Sequence, residues 1–484
     1  MKIRKPLLEA LNHYEREKIY PCHTPGHKGG RGFAAELKSC LGSTAAAMDV
    51  SLMSELDDLH CPSGCLKEAQ EMTAALYGSD RCFFAVNGTT GAIHAMLLGA
   101  LKPNDRLLVP RNSHRAVAGA LVLGGLEAVF LEPGYDRNFG IATQPSLQDI
   151  EEALACDPEI KAVLLTTPNY YGLTADVAAI ADLVHRRGAF LLVDEAHGAH
   201  LGFSSFLPPS ALQQGADACA QSTHKTLGAL TQCSWLHIRT ERLDAEKMAS
   251  AVSLLTSTSP NYLLLSSLDA ARSQLEAAGS SMVEAAARVA LELRRKLQSV
   301  TGLELLDEKV LARGEVAGYD CTKVTVKVSG LGVTGMEAAD LLRQAGIAVE
   351  LADFNNVLFL LTYADDNPEI EAIMNKIEKV FRTIAAMKLP PLGQPAAIRM
   401  PFPAAVMTAR EAFWAETENV KLAEAAGRIA AEQVSFYPPG IPVILPGERL
   451  TGEVLAYCRA LLNLRIPVSG PVDGTLKKIR VIKL

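Results

Sequence analysis

The chain has 484 residues, 49% of them hydrophobic and 21% charged, with a net charge of −7. That length supplies core for two or three domains, and the acidic balance excludes the basic footprint of a general nucleic-acid binder. Ten cysteines scattered along the chain make no disulfide framework, which points to a reducing, cytoplasmic compartment.

Residues 1–20 predict an amphipathic helix with Leu7, Leu8, Leu11 and Tyr14 on one side. They include basic residues but no apolar run of the kind a secretion signal needs. A Gly/Pro/His loop follows, Cys22-His23-Thr24-Pro25-Gly26-His27-Lys28-Gly29-Gly30. Cys61 and Cys65, beside His60, lack a second Cys/His pair at finger spacing, so no metal is expected. Residues 66–77 read as a helix stopped by Gly78. The longest apolar stretch, 116–130, is broken by Gly119, Gly124, Gly125 and Glu127 and falls short of a membrane span.

From Phe83 onward strand and helix patterns alternate. Strands are expected at 83–86, 107–109, 162–166, 189–194, 218–221 and 234–238. This alternation predicts an α/β fold with a mostly parallel sheet covered on both faces. A long helical region at 262–300 comes next. Then 323–328, a helix near 336–345 and a strand pattern at 349–362 make a smaller α/β unit. Leu389-Pro390-Pro391 marks a linker, and Tyr437-Pro438-Pro439-Gly440-Ile441-Pro442 lies beyond it. The expected division is an N-terminal helix and loop segment at 1–60, a large domain at 61–300, a small α/β domain at 301–388 and a C-terminal domain at 389–484.

Two stretches concentrate the chemistry. The apolar strand 189–194 delivers Asp194 at its C-terminal end, followed by Glu195-Ala196-His197. Lys225 comes 31 residues after Asp194, inside Gln221-Ser222-Thr223-His224-Lys225-Thr226. Ligand sites in open α/β sheets lie at the carboxyl ends of strands. A lysine amine plus a buried carboxylate is what pyridoxal phosphate requires: a Schiff-base lysine and an acidic partner for the ring nitrogen. The carboxylate keeps that nitrogen protonated, each pKa unit adding about 1.4 kcal/mol in favour of the pyridinium.

Asn87-Gly88-Thr89-Thr90-Gly91-Ala92 follows a strand and opens a helix, where N–H groups and hydroxyls bind a phosphate. Alone it is equally an ordinary turn with a threonine cap; the lysine and the carboxylate tip the reading to phosphate. Asp194-Glu195-Ala196-His197 also spells a helicase magnesium box, but no Gly-x4-Gly-Lys-[Ser/Thr] loop precedes it. Asp194, Glu195, His197 and His200 match no zinc signature. His114, in Arg111-Asn112-Ser113-His114-Arg115, is either a solvated loop histidine or a plate stacked on the cofactor ring. His23 and His27 serve either turn chemistry or the site.

Together these motifs resemble the Orn/Lys/Arg decarboxylase family of fold-type I pyridoxal phosphate enzymes. The matching stretches are His23-Thr24-Pro25-Gly26-His27, Leu56-Asp57-Asp58-Leu59-His60, Asn87-Gly88-Thr89-Thr90-Gly91, Arg111-Asn112-Ser113-His114, Asp194-Glu195-Ala196-His197-Gly198, Ser222-Thr223-His224-Lys225, Thr258-Ser259-Pro260 and the proline-rich run at 437–442. They follow the family's order along nearly the whole chain, which looks like the shorter bacterial form without an N-terminal receiver-like wing. The resemblance implies that 61–300 binds pyridoxal phosphate and that 389–484 is a C-terminal decarboxylase domain. It implies Lys225 as the Schiff-base residue, Asp194 at the ring nitrogen, and His114 and Ala196 on the two ring faces. Thr89, Thr90 and Ser222 would hold the phosphate, with His224 beside it. His197 stands where the long enzymes carry an aromatic residue, which leaves its role open. Glu350 matches a position near the substrate's distal group.

The expected reaction is decarboxylation of a basic L-amino acid, as in polyamine biosynthesis: arginine to agmatine first, lysine or ornithine next. Glu55, Asp57, Asp58, Glu350 and Asp353 are all candidate partners for the distal cation. A carboxylate forks onto guanidinium more directionally than onto ammonium, which favours arginine. The rival readings are an aminotransferase or aldolase-type lyase on the same fold, and a non-catalytic pyridoxal phosphate-binding protein. A homodimer or dimer-based assembly is expected from the resemblance and from the polar loop at 22–30; neither nucleic acid nor membrane is expected as a partner.

Overall fold

The computed structural model describes residues 3–393, 400–437 and 440–483; Pro438 and Pro439 of the proline-rich motif lie outside the described residues. The chain forms two units. The first holds the chain up to Ala100, Leu192–Ser204 and Pro209–Met282; the second holds Leu101–Leu191, Ser205–Pro208 and the chain from Val283 onward. The main strands are β1 (Arg81–Ala85), β2 (Arg106–Pro110), β3 (Glu127–Leu131), β4 (Ile160–Thr166), β5 (Phe190–Asp194), β6 (Ala218–Gln221) and β7 (Ser234–Ile238).

In the first unit β6 runs parallel to β5, pairing Ala218 with Leu192, Cys219 with Val193 and Ala220 with Asp194. β7 lies antiparallel to β6 on one side and to β1 on the other. Leu192, Val193, Ala218, Cys219, Ala220, Trp235 and Leu236 are all fully buried. Strands covered on both faces read as unbroken apolar runs, which is why the sequence shows no alternation here. The antiparallel β7 and β1 qualify the parallel pattern expected from sequence.

Helix α1 (Pro6–Glu17) begins on proline, whose missing N–H costs nothing at a first turn, and buries Leu7, Leu11 and Tyr14. Helix α2 (Cys65–Tyr77) stops at Gly78 in the left-handed conformation, as the sequence predicts. Helix α3 (Gly88–Ala100) starts four residues before the expected Ala92, so Thr89 and Thr90 sit in its first turn.

In the second unit β2 lies parallel to both β3 and β4. Helix α4 (Arg115–Gly124) follows β2. Further along, β8 (Lys323–Lys327), β9 (Leu351–Ala352) and β10 (Asn356–Leu360) form antiparallel pairs beside helices α5 (Gly335–Gln344) and α6 (Ile370–Ala386). The expected strand at 349–362 is thus two strands. The Asp353 carboxylate accepts the N–H groups of Asn355 and Asn356 at 2.8 Å each and turns the chain between them. Val324, Val326, Val357, Phe359 and Phe381 fill this core. A separate core gathers Val434, Phe436, Ile444, Leu450, Val454 and Val481 around β11 (Val434–Phe436), β12 (Pro442–Ile444) and helix α7 (Gly452–Asn463). Among the described residues no helix is long and apolar enough to cross a membrane.

Candidate active site

β5 and β6 end side by side, and their ends carry the chemistry. Asp194 closes β5 with 2% of its surface exposed. Its Oδ1 accepts the Ala196 N–H at 3.1 Å. Burial pushes the Asp194 carboxyl above its usual range, with the charge of Lys225 and the Ala196 N–H acting against that push. Lys225 sits in the short helix Thr223–Thr226 immediately after β6. Its Nζ lies 3.1 Å from Nε2 of His197, which is 4% exposed. The residue whose role the resemblance left open therefore touches the lysine.

Hydroxyls gather at the start of α3. Thr89 Oγ1 lies 2.5 Å from Ser222 Oγ and 2.8 Å from Ser234 Oγ, and the Ser234 hydroxyl donates to the Gln221 carbonyl at 2.7 Å. Thr90, next in the turn, is exposed. His224 donates from Nδ1 to the Cys233 carbonyl at 2.9 Å. Ser234 is a member of this group that the sequence reading missed; it opens β7, which its register alone brings beside Ser222. These residues fit a pyridoxal phosphate. The hydroxyls and first-turn N–H groups of a thirteen-residue helix suit the phosphate. A buried carboxylate suits a cationic ring nitrogen, and an amine beside an imidazole suits the aldehyde.

Lys225, Asp194, Ala196, His197, Thr89, Thr90, Ser222 and His224 all belong to the first unit; His114 and Glu350 belong to the second. His114 caps α4, its Nδ1 accepting the Ala116 N–H at 3.1 Å. Glu350 is exposed, and its N–H donates to the Leu358 carbonyl at 3.0 Å.

The structure separates the other acidic candidates by the work they already do. Asp57 accepts from the N–H groups of Asp58, Ser63, Gly64, Leu66 and Lys67. Burial alone would raise its carboxyl; those donors together hold it below the usual range. Asp57 thus caps α2. Asp353 accepts the Tyr171 hydroxyl at 3.0 Å and makes its own turn. Asp58 accepts the His60 N–H at 2.9 Å. In the loop at 22–30, His27 accepts the Gly30 N–H at Nδ1, stacks on Phe33 at 4.3 Å and places Nε2 3.2 Å from Asp49. His23 lies 2.9 Å from the Tyr14 hydroxyl.

Two further residues escaped the sequence reading as a pair. Glu195, 1% exposed, accepts the Ala211 N–H and the Gln221 side-chain N–H, both at 2.7 Å. Burial, opposed by these donors, pushes its carboxyl up to about 7. The available signal was two consecutive acids ending an apolar strand, since neighbours there face opposite sides.

The chain resembles known proteins along nearly its whole length. The arginine decarboxylase of Bacillus subtilis (strain 168) is 38% identical over 480 residues, covering 99% of this chain and 98% of the relative. The arginine decarboxylase of Bacillus anthracis is 38% identical over 99% of this chain and 97% of its own length. Among solved structures, the constitutive lysine decarboxylase of E. coli superposes with a TM-score of 0.84 at 23% identity, covering 99% of this chain and 82% of the other. Lysine decarboxylase A from Pseudomonas aeruginosa gives 0.84 at 24%, covering 99% and 80%. The major-domain model of the Orn/Lys/Arg decarboxylases matches residues 5–369 and their C-terminal-domain model matches 394–467. With both family models met in order and Lys225 beside Asp194 at the strand ends, the chain belongs to the Orn/Lys/Arg decarboxylase family and is an amino-acid decarboxylase.

Proposed function

We propose that this protein decarboxylates L-arginine to agmatine and CO2 with pyridoxal phosphate held by Lys225. The observation that carries the cofactor reading is the convergence of Lys225, His197 and Asp194 beyond β5 and β6. Bound there, pyridoxal phosphate supplies a sink for the electron pair released when the Cα–carboxylate bond breaks. Asp194 would hold the ring nitrogen and keep it charged. Thr89, Thr90, Ser222 and the N–H groups of α3 would hold the phosphate with His224 beside it, Ala196 would pack on one ring face, and the family resemblance assigns the other face to His114. The Lys225–His197 contact supports this pair as the proton carrier: with cofactor and substrate bound, the carboxylate would leave as CO2 and a proton from the pair would take its place on Cα. Reduction with borohydride followed by peptide mapping tests the anchor; the label is expected on Lys225, and label on any other lysine refutes the assignment.

The arginine assignment is supported by the 38% identity to arginine decarboxylases, against 26% to the lysine decarboxylases of Pseudomonas aeruginosa and Escherichia coli. Glu350 is proposed to face the guanidinium. Burying that cation without a partner costs several kcal/mol. Asp57 and Asp353 are committed to their own backbone, whereas Glu350 is not tied in this way. Steady-state rates on arginine, lysine and ornithine decide the substrate. Faster turnover of lysine would replace the assignment with its first alternative, and a keto acid or aldehyde product would point to an aminotransferase or lyase.

The reading keeps the divisions at 60, 300 and 388, the last of them supported by the separate cores of α6 and α7. It places the enzyme in the cytoplasm as a homodimer or dimer-based assembly. Sedimentation at assay concentration tests the last point; an active monomer contradicts it.

A further inference from the structure

The end of β5 carries two acids, and only Asp194 has a part in the reading above. Glu195 continues the strand path by one residue: its N–H donates to the Ala220 carbonyl at 3.0 Å. Since Asp194 pairs with Ala220, Glu195 stands opposite Gln221. Side chains alternate along a strand. Asp194 therefore projects from one face, while Glu195, Gln221 and Cys219 share the other. On that second face the Gln221 amide donates to Glu195 Oε2 at 2.7 Å, and the Ala211 N–H donates to Oε1 at 2.7 Å. Gln221 is fully buried, and its Oε1 has no hydrogen-bond partner among the described residues.

A buried carboxyl is costly unless donors surround it, and nothing in the reaction needs one on this face. What Glu195 does have is position. It follows Asp194 directly, and Gln221 precedes Ser222 directly. The bridge therefore joins the two chain segments at the point where each turns into the site.

We propose that the Glu195–Gln221 bridge is a positioning device that fixes the gap between the segment carrying Asp194 and the one leading to Ser222 and Lys225. The phosphate contacts and the ring-nitrogen contact are then met together by a cofactor of fixed length. This rests on the reading of Lys225 and Asp194 as cofactor anchors. It makes Glu195 and Gln221 positioning residues, acting through their neighbours. The unpaired Oε1 of Gln221 gives the device a distinctive property. A glutamine at 195 keeps the bridge, because Gln221 needs only to turn its amide over and accept.

The experiment titrates apoprotein with pyridoxal phosphate and follows binding, the visible absorbance of the bound cofactor and the unfolding midpoint. Gln221→Met, which keeps bulk and removes the donor, is expected to weaken cofactor binding roughly ten- to a hundredfold, as for loss of a hydrogen bond to a charged group, and to shift the absorbance. Glu195→Gln, and the exchanged pair Glu195→Gln with Gln221→Glu, are expected to bind within about threefold of wild type, because each keeps one donor facing one acceptor. Wild-type binding and absorbance in Gln221→Met would overturn the proposal. So would a tenfold loss in Glu195→Gln, which would assign the effect to charge. If Gln221→Met does not fold, the exchanged pair decides: binding near wild type supports the bridge, and a tenfold loss refutes it. Borohydride labelling of wild type separates the two levels. Label on Lys225 with normal Gln221→Met refutes the bridge alone; label elsewhere refutes both.

Discussion

Asp194 in the first unit and Glu448 in the second pose one electrostatic problem with two solutions. Both carboxyls are buried, and burial pushes both above their usual range. Each is opposed by one cation and one backbone N–H: Lys225 and Ala196 for Asp194, Arg111 and Leu445 for Glu448. Arg111 is fixed. Its guanidinium donates to Glu448 at 3.0 Å and to the carbonyls of Pro442 and Val443, and it lies over the Phe130 ring at 5.3 Å. Lys225 is an amine beside an imidazole, and an amine can act as a nucleophile toward a carbonyl. A guanidinium bound by a carboxylate and two carbonyls makes a structural pair; a nucleophilic amine beside an imidazole makes a site. Charge burial alone does not separate the two, and the chemistry of the partner does.

The sharpest break of that comparison is Lys225→Ala. If the amine is the cofactor's anchor, activity should fall roughly 10³-fold or more, with the unfolding midpoint little changed. Turnover within tenfold of wild type would remove Lys225 from the site. Asp194→Asn comes next. The amide keeps the shape but not the charge, so turnover is expected to fall by about 10²–10³ while the fold is retained. Near-normal turnover would mean that the carboxylate has another task.

Arg111→Ala should do the reverse. It leaves Glu448 buried without its guanidinium, which costs about 3–5 kcal/mol. Denaturant unfolding should register that loss, while borohydride still labels Lys225. A variant as stable as wild type would show the pair to be dispensable. The smallest effect is expected at Glu350, which is exposed and belongs to neither buried pair. Glu350→Gln should raise KM for arginine and lower kcat/KM roughly ten- to a hundredfold, the worth of one charged hydrogen bond. Borohydride labelling of Lys225 should be unaffected. A silent substitution would remove Glu350 from the substrate's distal end.

The sequence by itself determined the strand that ends in Asp194 and the strand that leads to Lys225. Both are short apolar runs buried on both faces, a pattern that is local and needs no knowledge of neighbours. The stop at Gly78 was legible for the same reason, because glycine accepts the left-handed cap without a clash. The tertiary structure decided everything that depends on register between distant segments. It brought Ser234 to Ser222 and Thr89, and set Gln221 opposite Glu195. It joined Arg111 to Glu448 across 337 positions of chain. It also spent Asp57 on the start of α2 and Asp353 on a turn, removing two acids that composition alone had ranked equal with Glu350. A side chain's type limits the bonds it can make. Which of them it makes depends on the strand or helix end folded against it, and that choice belongs to the packed molecule.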